Sequence, residues 1–338
     1  MMKIPISIKL IVITTGLLIG VTIFVSLSTS QITRSKLIDA QQDTNIELAK
    51  AKAREIDHIF DNLKEKIALN GRLLLSLKQA ENSLISDKTT NLQQANQNYT
   101  NLKRDIDNNL NLDSSILGIE VYSFQNSTAL KINAKYKTKT EKDLLYNEYA
   151  VKYFRKYYPI SYTKIVEGKG NMILINSSLK GYEPVITVGL PLIRDKENRI
   201  THVVVADISL SVLQKTIAEN GTTSTFFITD SNGIILAHLD ESKTYAKENF
   251  SNYEIVSFAK DSLMASGMKY IKEPQTNKAF YSAFAKTSYG PIVFAQLDED
   301  IILAVIHQLN TNIIRIAGYF LSGALLLIFL FSMSLTQP

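Results

Sequence analysis

The side chains with the most chemistry to offer lie together in "YNEYAVKYFRKYYPISYTK", residues 146–164. Tyr146, Tyr149, Tyr153 and Tyr157 recur at helical spacing, and Arg155, Tyr158 and Tyr162 stand close by. Tyrosine offers an aromatic face and a hydroxyl, and arginine a planar fork that matches a carboxylate. Together they can form an aromatic and cationic clamp for a small organic acid or amine. The same spacing also serves packing, with Tyr149, Tyr153 and Phe154 laid on a sheet and Arg155 and Lys156 left in water. Three further candidates for the clamp come from strand-like runs: Tyr122 in "GIEVYSF", Asn176 in "MILINSS" and Asp207 in "VVVADISL". Alternate strand residues share one face, which is how such runs line a pocket.

Catalytic constellations are missing. His58, His202, His238 and His307 are scattered, with no H-x-x-x-H pair and no neighbouring cysteine, so no metal site is expected. There is no G-x-S-x-G elbow, phosphate loop or dinucleotide fingerprint, so the chain reads as a non-enzyme without cofactors. The net charge of +5 comes from 37 basic residues dispersed among 32 acidic ones. Without a basic run or aromatic-basic interleaving, nucleic acid is not expected as a partner.

A clamp needs a scaffold, and hydropathy sets its outer limits. No charge occurs in the 21 residues from Leu10 to Ser30 or in the 23 from Ile316 to Pro338. At about 1.5 Å of rise per residue, roughly 20 such residues cross a hydrocarbon core about 30 Å thick. Transmembrane helices are therefore predicted over 10–30 and 311–333, which makes the lipid bilayer a partner. A cleavable signal peptide is the alternative for the first, but its apolar core is longer than an h-region and a helical pattern runs straight out of it. Lys3 and Lys9, in the short tail 1–9, put the N-terminus in the cytoplasm. Residues 31–310 are then extracytoplasmic (periplasmic), held by a two-pass protein of the cytoplasmic membrane. The absence of cysteine fits an exported domain that builds its core without disulfides.

Beyond the first span, Ile46, Ala49, Ala53, Ile56, Phe60, Leu63 and Ile67 recur at spacings of three and four, and no Pro or Gly interrupts 31–70. This apolar seam serves either a homodimer through the stalk helix or packing on the chain's own domain. After Gly71 a second helix folds back, which gives stalk helices over 31–112. From Ile116 the period becomes strand-like: "GIEVYSFQNSTALKINAKY", "MILINSS", "PVITVGLPLI" and "THVVVADISL". A second block opens with "TFFITDSNGIILAHL", whose Asn-Gly suits positive φ in a tight hairpin, and closes with "KAFYSAFAKTSYGPIVFAQL". Each block ends in a hairpin whose last strand meets an acid and then a helix, "VVVADISLSVL" and "VFAQLDEDIIL". The predicted fold class is α+β, with two antiparallel-sheet modules in tandem, 113–220 and 221–310.

This order of anchor helix, stalk helix, two sheet modules and return helix, with "PVITVGLPLI" and "VVVADISL", resembles the double Cache sensor family over roughly 31–310. The resemblance implies PAS-like modules, the first membrane-distal and holding a small-molecule ligand, the second proximal and relaying to the membrane. It also implies that "SLTQP", over 334–338, begins a HAMP-like relay helix, with Pro338 at its start. The output beyond would be a nucleotide cyclase, histidine kinase, diguanylate cyclase or chemotaxis domain. In amino-acid-sensing members an Asp placed like Asp207 helps to hold the ligand amine. Their Arg-Trp-Tyr companion is absent, since the chain has no Trp, and Asn176 and Ser178 replace a Tyr and an Asp expected before "PVIT". Asp207 and Asp298 occupy corresponding places in the two blocks, so both can instead cap the following helix. The alternative in another class is a membrane-anchored adhesion or scaffold protein that binds a macromolecule and sends no signal.

Overall fold

The apolar positions between Ile46 and Ile67 form one face of a helix that runs far beyond them in both directions. In the computed structural model, which describes residues 6–86, 92–125, 128–141, 143–167, 172–218, 223–272 and 278–336, this helix α1 spans Ile6–Ser86. Then come α2 (Leu92–Leu112), β1 (Ile116–Gln125), β2 (Thr128–Tyr136), β3 (Lys139–Glu141), β4 (Leu144–Tyr146), α3 (Glu148–Tyr157) and α4 (Tyr162–Glu167). The first block closes with β5 (Ile173–Asn176), β6 (Val185–Arg194), β7 (Ile200–Ser209) and α5 (Ser211–Ala218). The second holds β8 (Thr225–Thr229), β9 (Ile235–His238), α6 (Glu241–Tyr245), α7 (Glu254–Asp261), β10 (Ser266–Lys272), β11 (Ala279–Lys286) and β12 (Ile292–Asp298). Helix α8 (Glu299–Thr336) completes the chain. Lys3, Gln337 and Pro338, which carried the expectations for the two ends, lie outside the described residues.

Two compact units divide the chain. One comprises Ile46–Lys269 and Ser282–Gln296. It contains an antiparallel sheet in the order β2-β1-β7-β6-β5, with the small β3-β4 hairpin apart from it. The second sheet runs β10-β11-β12-β8-β9. Numbered within each block and read from β2 and from β9, both orders are second-first-fifth-fourth-third, so the repeat seen in the sequence is a repeat of topology.

Alternation on the first sheet explains how it packs. Ile119 and Val121, Val204, Ala206 and Ile208, and Ile186, Val188 and Leu190 take one face, as side chains two apart must. They share a single core with Ala49, Ala53, Ile56, Phe60, Leu63 and Ile67 of α1 and with Phe226, Ile228 and Val293 of the second sheet. The seam is thus filled from within the chain, which is the second of the two uses its spacing allows. Gly71 does not end the helix either. A Cβ on it would stand 2.9 Å from Val204 Cγ2 and 3.2 Å from Leu192 Cδ1, so glycine is what lets α1 lie close to β7. Gly71→Val is expected to destabilise the chain by about 1–3 kcal/mol through overpacking, measured as a lower urea midpoint.

The other unit holds Met1–Asn45, Tyr270–Tyr281 and Leu297–Pro338. The early part of α1 and helix α8 are long and apolar enough to cross a membrane, with mean hydropathies of 2.0 and 2.2 over their most apolar windows. Phe24, Leu27, Ile316 and Phe320 point outward from them. Ser30 Oγ donates to Asn310 Oδ1 at 2.6 Å, and Asn45 Nδ2 to the Tyr281 carbonyl at 2.8 Å. In the β8-β9 hairpin only Gly233 of the Asn-Gly pair takes positive φ (+90°), while the Asp230 carboxylate accepts from Asn232 N and Ile234 N.

Candidate functional site

The face of the first sheet turned away from α1 is where charge is buried. On β1 this parity carries Gly118, Glu120 and Tyr122, and on β7 it carries Val203, Val205 and Asp207, with Gly118 and Thr187 as the register partners of Asp207. Helix α3 covers this face. Asn147 caps it by accepting from Ala150 N at 2.9 Å, and Val151, Phe154 and Arg155, at helical spacing, turn inward. Tyr149, Tyr153 and Tyr157 turn outward, with 71%, 48% and 59% exposure. The structure therefore reverses the packing alternative for this helix: two of the tyrosines expected in the core are in water, and the arginine expected in water faces the sheet.

Arg155 bridges two buried carboxylates. Its Nε and Nη2 donate to Glu120 Oε2 at 2.9 and 2.7 Å, and its Nη1 and Nη2 to Asp207 Oδ1 and Oδ2 at 3.1 and 3.2 Å. Glu120 is 2% exposed and Asp207 1%. Each acid has further donors. Glu120 Oε1 accepts from Lys131 Nζ at 2.9 Å and from the Tyr136 hydroxyl at 2.5 Å. Asp207 accepts from the Tyr146 hydroxyl at 3.0 Å and from Thr187 Oγ1 at 2.7 Å. Gly118 makes room for this: a Cβ there would stand 2.3 Å from the Tyr146 hydroxyl oxygen. Tyr122 lies beside the cluster, its ring 5.0 Å from that of Tyr162.

Ionisation follows from the pairing. Burial pushes the Glu120 carboxyl up, but the Arg155 charge and the hydrogen bonds from Tyr136 and Lys131 outweigh it and hold the group below the usual range. Burial opposes the Arg155 charge, and Asp207 and Glu120 more than restore it. Burial and the neighbouring acids push the Tyr122, Tyr136 and Tyr146 phenols well up, so these remain neutral hydrogen-bond donors. Chemically, the arrangement can pair with charged and planar hydrogen-bonding groups.

Of the six expected site residues, the structure brings Arg155 and Asp207 into contact and sets Tyr122 on the same face. Asp207 is no helix cap; Ser209 Oγ accepts from Ser211 N at 3.2 Å at the start of α5, whereas Asp298 Oδ1 does accept from Asp300 N at 2.9 Å in α8. The two aspartates are therefore not counterparts. Tyr153 stands outside the cluster, its ring 5.9 Å from that of Tyr182. Tyr158 and Asn176 meet elsewhere, at Lys247, whose Nζ lies 3.6 Å from the Tyr158 ring centre and donates to the Asn176 carbonyl at 3.0 Å. Sequence reasoning missed Glu120, although its two-residue spacing from Tyr122 inside a β-branched run was a usable sign that the two share a sheet face.

A sequence model described as Cache domain matches residues 29–306. No match was found among curated proteins. Similar solved structures include the periplasmic sensory domain of the Campylobacter jejuni chemoreceptor Tlp1, at 14% identity and a TM-score of 0.49, covering 79% of this chain and 98% of that one. The ligand-binding domain of the Pseudomonas fluorescens chemoreceptor CtaA, in complex with L-isoleucine, is 13% identical with a TM-score of 0.47, over 81% of this chain and 98% of that one. That of the Pseudomonas aeruginosa PAO1 amino acid chemoreceptor PctB, in complex with L-Arg, is 16% identical with a TM-score of 0.46, over 78% and 97%.

Proposed function

The chain belongs to the Cache-domain family, whose members are extracytoplasmic, non-catalytic, ligand-binding sensors of membrane receptors, and from that membership we propose that it is the sensory input part of a transmembrane signalling receptor. The first sheet module binds a small molecule at the Glu120–Arg155–Asp207 cluster, with Tyr122 and the phenols of Tyr136 and Tyr146 around it. The observation that carries this reading is the burial of two carboxylates, paired with the largely covered Arg155, on the sheet face under α3, where packing alone calls for apolar side chains. An adhesion or scaffold role gives no reason for that expense. In this reading α1 and α8 cross the membrane, and α8 passes the response to a cytoplasmic output module.

The relay starts at α3. Arg155 is three residues from Tyr158, the C-cap residue of α3, and Tyr158 sits under Lys247 of the second module. Movement of Arg155 therefore reaches the second module through one cation–aromatic contact and one hydrogen bond to Asn176. Lys247→Met is expected to leave the first module folded while loosening this join by roughly 1 kcal/mol, read as about fivefold faster amide exchange over 172–178 and 241–250. Unchanged exchange there would remove Lys247 from the relay.

The function is tested by thermal-shift screening of the purified full chain against small organic acids, amines and amino acids. Saturable stabilisation by one chemical class, lost in Asp207→Asn, is the expected result. Stabilisation that survives Asp207→Asn would place the ligand elsewhere, and none from any class would refute sensing by this module.

A further inference from the structure

Charge at the cluster restricts what can bind there, an inference that rests on the reading of this site as the ligand site. Glu120 and Asp207 sit on neighbouring central strands: β1 is hydrogen-bonded on both sides by β2 and β7, and β7 by β1 and β6. The backbone under each carboxylate is therefore held by ladder hydrogen bonds on both sides. Arg155 belongs to a ten-residue helix, and its side chain keeps 17% exposure. It is the one member of the three that stands outside the sheet and reaches solvent.

A ligand entering the cluster must replace one of these partners. An incoming carboxylate would compete for Arg155 against two fixed carboxylates. It would also add a third negative charge where Lys131, 44% exposed, is the one further cation paired with either acid among the described residues. Uncompensated buried charge is the costliest outcome available. An incoming guanidinium or ammonium group meets no such barrier, because it takes the place of the Arg155 guanidinium and leaves one cation between the two acids. The phenol rings of Tyr122 and Tyr162, 5.0 Å apart beside Glu120, add faces that attract cations.

We propose that the site takes an organic cation without a carboxylate, of guanidinium or amine type, by displacing the Arg155 guanidinium, and that Glu120 is the residue that turns away carboxylate-bearing ligands. Arg155 is then the site's own occupant in the resting state rather than a clamp for a ligand acid. Its release frees α3 and so the Tyr158–Lys247 join.

The test is titration of the full chain with agmatine, putrescine, L-alanine and succinate, followed by thermal shift and calorimetry. Agmatine or putrescine is expected to stabilise the wild type, and Glu120→Gln to weaken that binding by about tenfold or more, as loss of a charge-assisted contact does. Arg155→Gln is expected to tighten it by about tenfold or more, because removing the internal competitor raises the fraction of open sites. If Arg155→Gln proves unfolded, restoration of its melting transition by agmatine, putrescine or methylguanidinium supports the exchange, and failure of all three overturns it. Binding of succinate or L-alanine that disappears in Arg155→Gln overturns the proposal while leaving a sensor in place. Failure of every ligand class removes the sensor reading and the proposal together.

Discussion

Arg155→Gln is expected to lower the unfolding free energy of the ligand-free chain by about 3–5 kcal/mol, the usual consequence of taking one partner out of a buried ionic group. Four of the hydrogen bonds at the cluster come from this one guanidinium and end on carboxylates that the sheet holds away from water. The pH dependence makes the effect specific. In the wild type the Glu120 carboxyl is held below its ordinary range, so its contribution is complete above about pH 4–5 and is lost as pH falls through the depressed value. Without Arg155, burial is left to push the same carboxyl upward, and the variant should recover stability relative to wild type as the pH drops through that raised value. Urea midpoints at neutral and mildly acidic pH measure both. Parallel profiles for the two proteins would mean that Glu120 and Arg155 are not coupled as the geometry has them.

Phe60→Ala is expected to cost about 3–5 kcal/mol, as for other large aromatic side chains removed from a filled core. Phe60 is fully buried and touches the ring of Tyr289 at 5.7 Å between centroids, in the core that α1 shares with both sheets. The seam from Ile46 to Ile67 packs within one chain, so the loss should appear as a lower melting temperature with no change in molecular mass by light scattering. A fall in mass at unchanged melting temperature would restore the seam to an interface between copies.

The tandem repeat, the β-branched strands and the long helix are legible in the amino-acid sequence, because periodicity reports local geometry directly. Strand β10, "SGMKYIK", is not, because only its Ile271 is deeply buried and the run has no β-branched block. Gly71 reads as a helix end because a glycine inside a helix is costly on its own. Its value lies in contact with Val204, which is far away along the chain. The site divides in the same way. Arg155 and Asp207 stand out by residue type and place. Glu120 is hidden, because a glutamate in a strand ordinarily marks the solvent side, and only the cover of α3 turns that side into an interior. Tyr158 and Asn176 are pocket residues by type, yet Lys247, seventy-one positions beyond Asn176, comes to rest on both.

A receptor of this kind requires that α1 and α8 cross a membrane and that the two sheet modules stand outside it. The chain has no cysteine, so Lys152→Cys on the outer face of α3 provides a single reporter. Labelling with a membrane-impermeant maleimide is expected in osmotically shocked cells whose inner membrane is intact. Labelling that appears only after that membrane is permeabilised would place the modules inside and contradict the receptor reading.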